Sequence, residues 1–188
     1  MVRGFGGVTL YDGETFTTWT EQDGLMGFDV WSLFVDDTDT LWIGTLAGAT
    51  RFDGHSVETL DVMNETSKTF VGSLLADESG GVWLGTGSKG LLHFDGTSFT
   101  TVFERDGFSV GALHRDAQGT FWFSSHGHGA CRYDGTSLTI LDEEDGLRGG
   151  LPFAITEDDR ERIWFVGFGG ASRYDGDTVV NVTRAGPW

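Results

Sequence analysis

Residues 41–54 read LWIGTLAGATRFDG, and residues 163–176 read IWFVGFGGASRYDG. Each stretch has an apolar residue, a Trp, a short Gly-containing step, a turn and then an aromatic-Asp-Gly triplet. The triplet occurs five times, with its Asp at 12, 53, 95, 134 and 175. The spacing stays between 39 and 42 residues. A glycine stands five residues before each Asp (Gly7, Gly48, Gly90, Gly129, Gly170), and an apolar residue four after it (Phe16, Val57, Phe99, Leu138, Val179). Trp recurs at 42, 83, 122 and 164. Five copies in register define a repeat of about 40 residues.

Each repeat holds four short runs rich in β-branched and aromatic residues, punctuated by Asp-Gly, which reads as strands joined by tight turns. The first runs are VWSLFVD at 30–36, VGSLLAD at 71–77, VGALHRD at 110–116 and PFAITED at 152–158. No segment keeps a helical period, so essentially no helix is expected. Four strands in about 40 residues is the size of a propeller blade, whose two faces are buried only by neighbouring blades. The expected fold is all-β: one β-propeller domain over 1–188, of about five four-stranded blades at 1–29, 30–70, 71–109, 110–151 and 152–188. The first-strand positions Ser32, Ser73, Ala112 and Ala154 are small and the next ones large, as a ring tapering to an axis requires. The repeated Trp residues are expected to pack between blades.

First strands number four, while third and fourth strands number five. Met1 occupies the first Trp position, so the first blade is expected to lack its innermost strand, and RAGPW at the end is too poor in strand formers to supply it. Three outcomes stay open: a five-bladed ring with a thin first blade, a piece of a larger ring, or copies that complete one another through the incomplete blade.

The repeat phrase, together with DGL in QDGLMG (22–27) and EDGLRG (144–149), resembles the two-component regulator propeller repeat over residues 4–184. That resemblance implies a bacterial sensor-type propeller and a periplasmic or extracellular location. The chain opens MVRGFGGVTLYDG, without the basic end and apolar run of a signal peptide.

Charge narrows the partners. Twenty-nine acidic residues against twelve basic give a net of -17, which repels phosphate backbones and anionic headgroups. Nucleic acid and membrane insertion are therefore not expected. Cys131 is the only cysteine and forms no internal disulfide.

The five repeated Asp residues recur once per blade and cannot converge on one ion, so Asp12, Asp53, Asp95, Asp134 and Asp175 are expected to shape turns. The segments DDTDTLW, DESGGVW, DAQGTFW and EDDRERIW resemble Asp-box hairpins, with the carboxylate again tying down a turn. SSHGHGACR places His126 and His128 beside Cys131, but one His-x-His pair supplies only two ligands, so neither metal nor cofactor is expected. No nucleophile elbow or phosphate loop is present, and the fold is expected to be non-enzymatic. A propeller lyase that uses a histidine and a divalent metal is the enzymatic alternative; a structural module that docks other protein chains is the other.

Loops between second and third strands, and between blades, emerge on one propeller face. Those of this chain carry Phe5, Phe28, Asn64, Lys89, His126, His128, Arg148 and Phe168, a mix of aromatic and hydrogen-bonding groups suited to carbohydrate or another small polar ligand. GTGSKG and SSHGHG are one residue longer than their counterparts, which singles out Lys89, His126 and His128.

Overall fold

Every aromatic-Asp-Gly triplet closes the turn between two strands, and the carboxylate does the closing. Asp53 Oδ1 accepts from the amides of His55 and Ser56 at 2.8 and 2.7 Å. Asp12, Asp95, Asp134 and Asp175 accept from the equivalent amides. The following glycine turns left-handed, as at Gly135 with φ 93°. The computed structural model describes residues 2–4, 6–60, 62 and 69–182; Phe5 and Asn64 lie outside them.

Between these turns the chain forms five antiparallel sheets, each in sequence order. Blade 1 has three strands, β1 (Val2–Gly4), β2 (Gly7–Tyr11) and β3 (Phe16–Trp19). Blade 2 comprises β4 (Val30–Val35), β5 (Leu41–Thr45), β6 (Ala49–Phe52) and β7 (Val57–Leu60). Blade 3 comprises β8 (Val71–Ala76), β9 (Val82–Thr86), β10 (Leu91–Phe94) and β11 (Phe99–Phe103). Blade 4 comprises β12 (Leu113–Arg115), β13 (Phe121–Ser125), β14 (Gly129–Tyr133) and β15 (Leu138–Leu141). Blade 5 comprises β16 (Pro152–Glu157), β17 (Ile163–Gly167), β18 (Gly170–Tyr174) and β19 (Val179–Val182). One 3-10 turn at Glu21–Asp23 is the helical content of the described residues. In blade 1, β2 runs into Asp12-Gly13, so its three strands hold the second, third and fourth places and the innermost place is empty among the described residues. β12 is shorter than the run 110–116 suggested. Gly111 and Ala112 still pair with Ser124 through backbone hydrogen bonds of 2.8 and 2.9 Å, outside the regular ladder.

The blades fall into two compact units, Met1–Glu104 and Arg105–Trp188. In the first, Val8, Leu25, Val30, Leu41 and Ile43 bury one another between blades 1 and 2. Trp42, Val71, Leu84, Leu92 and Phe94 do the same between blades 2 and 3. In the second, Trp122, Ala130, Leu141, Leu147, Ile163 and Phe165 form the core between blades 4 and 5. Leu25 and Leu147 are the leucines of the two DGL segments, so each DGL turn plugs the core that follows it. At three of the glycines that open the third strands the cause is steric. A Cβ on Gly7, Gly90 or Gly129 would overlap the carbonyl oxygen of Trp19, Phe103 or Leu141 on the adjacent fourth strand.

A second carboxylate ties the first turn to the Trp in blades 2, 4 and 5, while in blade 3 Asp77 faces His93 Nε2 at 3.1 Å. Asp36 accepts from the Thr38 and Thr40 amides and, through Oδ2, from the Trp42 indole at 2.7 Å. Asp116 holds Trp122 at 2.8 Å and Asp158 holds Trp164 at 2.7 Å in the same way. A basic or imidazole side chain on the third strand covers each indole. Arg51, Arg132 and Arg173 place their guanidinium carbons 5.9, 5.8 and 5.9 Å from the ring centroids of Trp42, Trp122 and Trp164. His93 stacks on Trp83 at 4.0 Å.

Trp42 and Trp122 are buried between blades, as the repeat implied, whereas Trp83 and Trp164 are only partly buried. Trp122→Ala removes a side chain 2% exposed and packed on Phe165 and Tyr174. It should cost about 3–5 kcal/mol in urea unfolding. Trp83→Ala should cost less, because solvent already reaches that ring; equal losses would contradict this ordering.

The turn carboxylates also make stability pH-dependent. Amide hydrogen bonds from Ser56 and His55 lower Asp53 to about 2, and like bonds lower Asp12, Asp95, Asp134 and Asp175. Burial pushes Asp36 up, but the Trp42 indole and Thr38 outweigh it and leave it lowered. Groups lowered in the folded state stabilise it above their unfolded values and lose that contribution as pH falls. The unfolding midpoint should therefore hold near neutrality and drop between about pH 4 and pH 2. A flat midpoint across that range would show that the turns do not depend on ionised Asp.

Candidate functional site

The loop that carries both histidines, 125–129, is pinned from below. The buried Ser125 accepts from the His128 amide at 3.0 Å through its carbonyl, and its hydroxyl accepts from the Ser109 amide at 3.2 Å. The Ser109 hydroxyl in turn accepts from the His126 amide at 3.2 Å. His128 is held by its ring. It lies parallel to Phe108 with centroids 3.9 Å apart and an interplanar angle of 1°. Its Nε2 is 3.3 Å from the Gly107 carbonyl oxygen, a bond made by the tautomer protonated there. The Arg105 guanidinium caps the same stack, 4.9 Å from the Phe108 centroid.

Beside this stack, within the second unit, lies a cleft of about 470 Å³. Its lining comes from the histidine loop (Gly127, His128, Gly129), from Ile140 on β15, and from Asp142, Glu143, Glu144, Gly150 and Leu151 of the segment leading into blade 5. That segment folds on itself. Asp142 Oδ1 accepts from the Glu144 amide at 2.8 Å, and Asp145 Oδ2 accepts from the Asp142 amide at 3.1 Å. Glu143 and Glu144 take no part in the turn through their carboxylates. The cleft thus combines an imidazole, three carboxylates and two aliphatic side chains, which suits hydroxyl or ammonium donors on a ligand with an apolar face.

Of the expected contacts, His128 lines this cleft. His126 is exposed on the same loop. Arg148 lies on the neighbouring stretch of the inter-blade segment. Its amide donates to Ser172 Oγ at 3.1 Å, and its stem packs over Gly169 so closely that a Cβ there would meet Arg148 Cγ at 2.5 Å. Phe168 is 89% exposed and meets Phe153 edge to face at 4.3 Å. Lys89 and Phe28 belong to the first unit. Lys89 Nζ lies 3.5 Å from Glu104, and the exposed Phe28 accepts the Gly6 amide at its carbonyl at 3.1 Å. Asp142, Glu143 and Glu144 do not stand out in the sequence because acids are common throughout the chain. Their signal was position, in an inter-blade segment flanking the histidine loop.

The segment SSHGHGACR does not assemble as ligand donors. Cys131 is fully buried on β14, and burial pushes its thiol up to about 12. Among the described residues no group of three or more His, Cys, Asp or Glu side chains stands close enough to hold a metal ion.

No family model matches the chain, and no curated protein matches it. Solved structures do. Two are of the extracellular domain of BT4673 from B. thetaiotaomicron, described as a one-component system in one case and a hybrid two-component system in the other. They superpose with TM-scores of 0.79 and 0.76, at 22% and 24% identity, over 91% and 90% of this chain. A streptogramin B lyase superposes with a TM-score of 0.65 at 14% identity, over 81% of this chain and 54% of its own. The fold is a β-propeller. The likeness in fold to the BT4673 extracellular domain agrees with the two-component regulator propeller resemblance carried by the repeat. This propeller chain spans about a quarter of the length of each BT4673 structure. None of its described helices is long and apolar enough to cross a membrane.

A buried, protonated thiol predicts an inert Cys131. An aromatic disulfide reagent at pH 8 should label the folded propeller at less than about a hundredth of the rate seen in denaturant. Rapid labelling under native conditions would place Cys131 at an accessible surface.

Proposed function

We propose that this chain is a non-enzymatic, sensor-type propeller module of an extracytoplasmic region, and that it binds a small polar ligand on its loop face. The cleft beside His128 carries this reading. Glu143, Glu144 and the His128 edge offer hydrogen bonds, while Ile140 and Leu151 offer apolar contact. That combination fits a neutral or amino-substituted carbohydrate, whose ring bears hydroxyl donors on its rim and C–H groups on its faces. An anionic ligand would face three carboxylates without a compensating cation in the lining. The superposition on sensor extracellular domains supports the module class. The absence of an activated nucleophile at Cys131 and the stacking of His128 on Phe108 support binding over turnover.

The test is calorimetric titration and thermal shift with a panel of neutral and amino sugars and matched sugar acids. Binding of a neutral or amino sugar is expected, with sugar acids silent. His128→Ala should weaken it at least tenfold at a temperature well below its unfolding midpoint, which itself should fall with the loss of the Phe108 stack. Lys89→Ala, measured alone and with His128→Ala, shows whether the first unit contributes. Binding that survives His128→Ala and Glu143→Gln undiminished would remove the cleft from the site.

A further inference from the structure

Eight Asp-Gly pairs stand in this sequence, with Asp at 12, 23, 53, 95, 106, 134, 145 and 175. Such a pair is open to spontaneous isomerisation, in which the glycine amide nitrogen attacks Cγ of the Asp side chain. Glycine has no Cβ to hinder that approach. Two restraints oppose it in a fold: hydrogen bonds that hold the carboxylate, and a hydrogen bond that holds the amide.

Seven of the eight pairs are restrained. At 12, 53, 95, 134 and 175 the carboxylate accepts two turn amides. The same bonds lower these carboxyls and keep them ionised, and a carboxylate is a poorer electrophile than a carboxylic acid. Asp23 Oδ2 accepts from the Thr20 amide and hydroxyl at 2.8 and 2.9 Å, and Asp145 Oδ2 from the Asp142 amide at 3.1 Å. At these two the glycine amide is held as well. Gly24 donates to the Glu21 carbonyl at 3.2 Å and Gly146 to the Glu143 carbonyl at 3.1 Å.

Asp106–Gly107 has neither restraint among the described residues. Residues 103–108 take the place of 20–25 and 142–147, but the turn is built differently. β11 runs on through Phe103, which pairs with Leu91, whereas β3 and β15 stop one place earlier. The position that caps the other two turns is here part of the sheet. The Phe108 amide still closes the turn on the Arg105 carbonyl at 3.0 Å. Asp106 is exposed, and Gly107, at φ 80°, has open space where a Cβ would be.

We propose that Asp106–Gly107 is a site of spontaneous isoaspartate formation, which unfastens His128 as the protein ages. The Gly107 nitrogen bonds to Asp106 Cγ, its proton leaves with the side-chain hydroxyl as water, and a five-membered imide forms. Water then adds to the imide carbonyl that came from the Asp106 main chain. That C–N bond breaks and an α-carboxylate is released. The product is an isomer of equal mass, made without oxidant or reductant, whose main chain runs through Cγ and is one carbon longer. The extra carbon falls beside the Gly107 carbonyl, which lies 3.3 Å from His128 Nε2, and just ahead of Phe108, which stacks on that imidazole. Isomerisation therefore displaces both groups that hold His128. This chemistry is independent of what the cleft binds.

The test holds the intact folded chain at neutral pH, below its unfolding midpoint, for several weeks. Isoaspartate is read by enzymatic methylation and located by mass spectrometry of peptides. Asp106 should carry at least about tenfold more than any of the other seven Asp residues, because one charge-assisted hydrogen bond slows attack by about that factor. In denaturant the eight pairs should react at similar rates. Asp106→Glu, whose longer side chain closes an imide far more slowly, should abolish the signal with unchanged circular dichroism. The His128 imidazole proton resonances should shift in step with isoaspartate in the wild-type chain and stay fixed in Asp106→Glu. Isoaspartate spread evenly over the folded chain's eight pairs, or missing from Asp106, would overturn the site. Resonances of His128 that stay put while isoaspartate accumulates would overturn its link to His128.

Discussion

The structure hangs on one carboxylate in each of blades 2, 4 and 5 that serves two masters. Asp36, Asp116 and Asp158 each close the hairpin that leaves the innermost strand and, with the other oxygen, hold the indole N–H of the Trp six residues on. An indole is large enough to span the gap between blades, but its N–H needs a partner when buried. A turn-forming Asp at this spacing supplies it locally, so Trp is already oriented before any other blade arrives. The cation opposite on the third strand then covers the exposed ring face, and the next blade closes over the result. Each blade thus carries its own half of the contact, which is how a repeat with little surface of its own stacks at all.

The turn has a cost where the sequence departs from its favoured form. The residue three after the Asp is left-handed in blades 2 to 5: Asp39, Gly80, Gly119 and Glu161 have φ of 61°, 88°, 85° and 60°. Glycine takes this conformation freely, while a side chain there is strained. Blades 2 and 5 accept an acid at that place and still keep the clamp, because Asp36 and Asp158 anchor the loop through two amides and an indole. Arg162 adds a further hydrogen bond of 2.8 Å to Asp158.

The repeat spelled out most of this fold because its signals are local. Asp-Gly turns, third-strand glycines and alternating apolar runs act within a few residues of their position, so blade count, strand order and a blade 1 of three strands among the described residues were legible. Burial of individual Trp residues was not, since it depends on packing beyond the repeat unit: Trp42 and Trp122 are buried and Trp164 only partly, with the same clamp in each. The cation opposite the Trp was legible in principle. Arg51, His93, Arg132 and Arg173 each precede the aromatic of the triplet, and blade 1, with Met1 in place of Trp, has Leu10 there. Recognising it required the cross-strand register that pairs Trp42 with Arg51 and Trp122 with Arg132. Likewise Asp142, Glu143 and Glu144 stand out only once β15 and the histidine loop are brought side by side.

The segment containing these three acids shows how a repeat can hold its shape while its surface changes. Residues 142–147 and 20–25 fold alike: Leu147 and Leu25 amides return to the carbonyls of Asp142 and Thr20, and Asp145 and Asp23 accept the amides of Asp142 and Thr20. The first residue accepts the amide two places on, through a carboxylate in one case and a hydroxyl in the other. The leucine fills the core in both. Fold therefore constrains the first, fourth, fifth and sixth positions and leaves the second and third to vary. Those are Glu21 and Gln22 in one turn, and Glu143 and Glu144 beside His128 in the other. A surface contact placed at such positions can change without disturbing either the turn or the core.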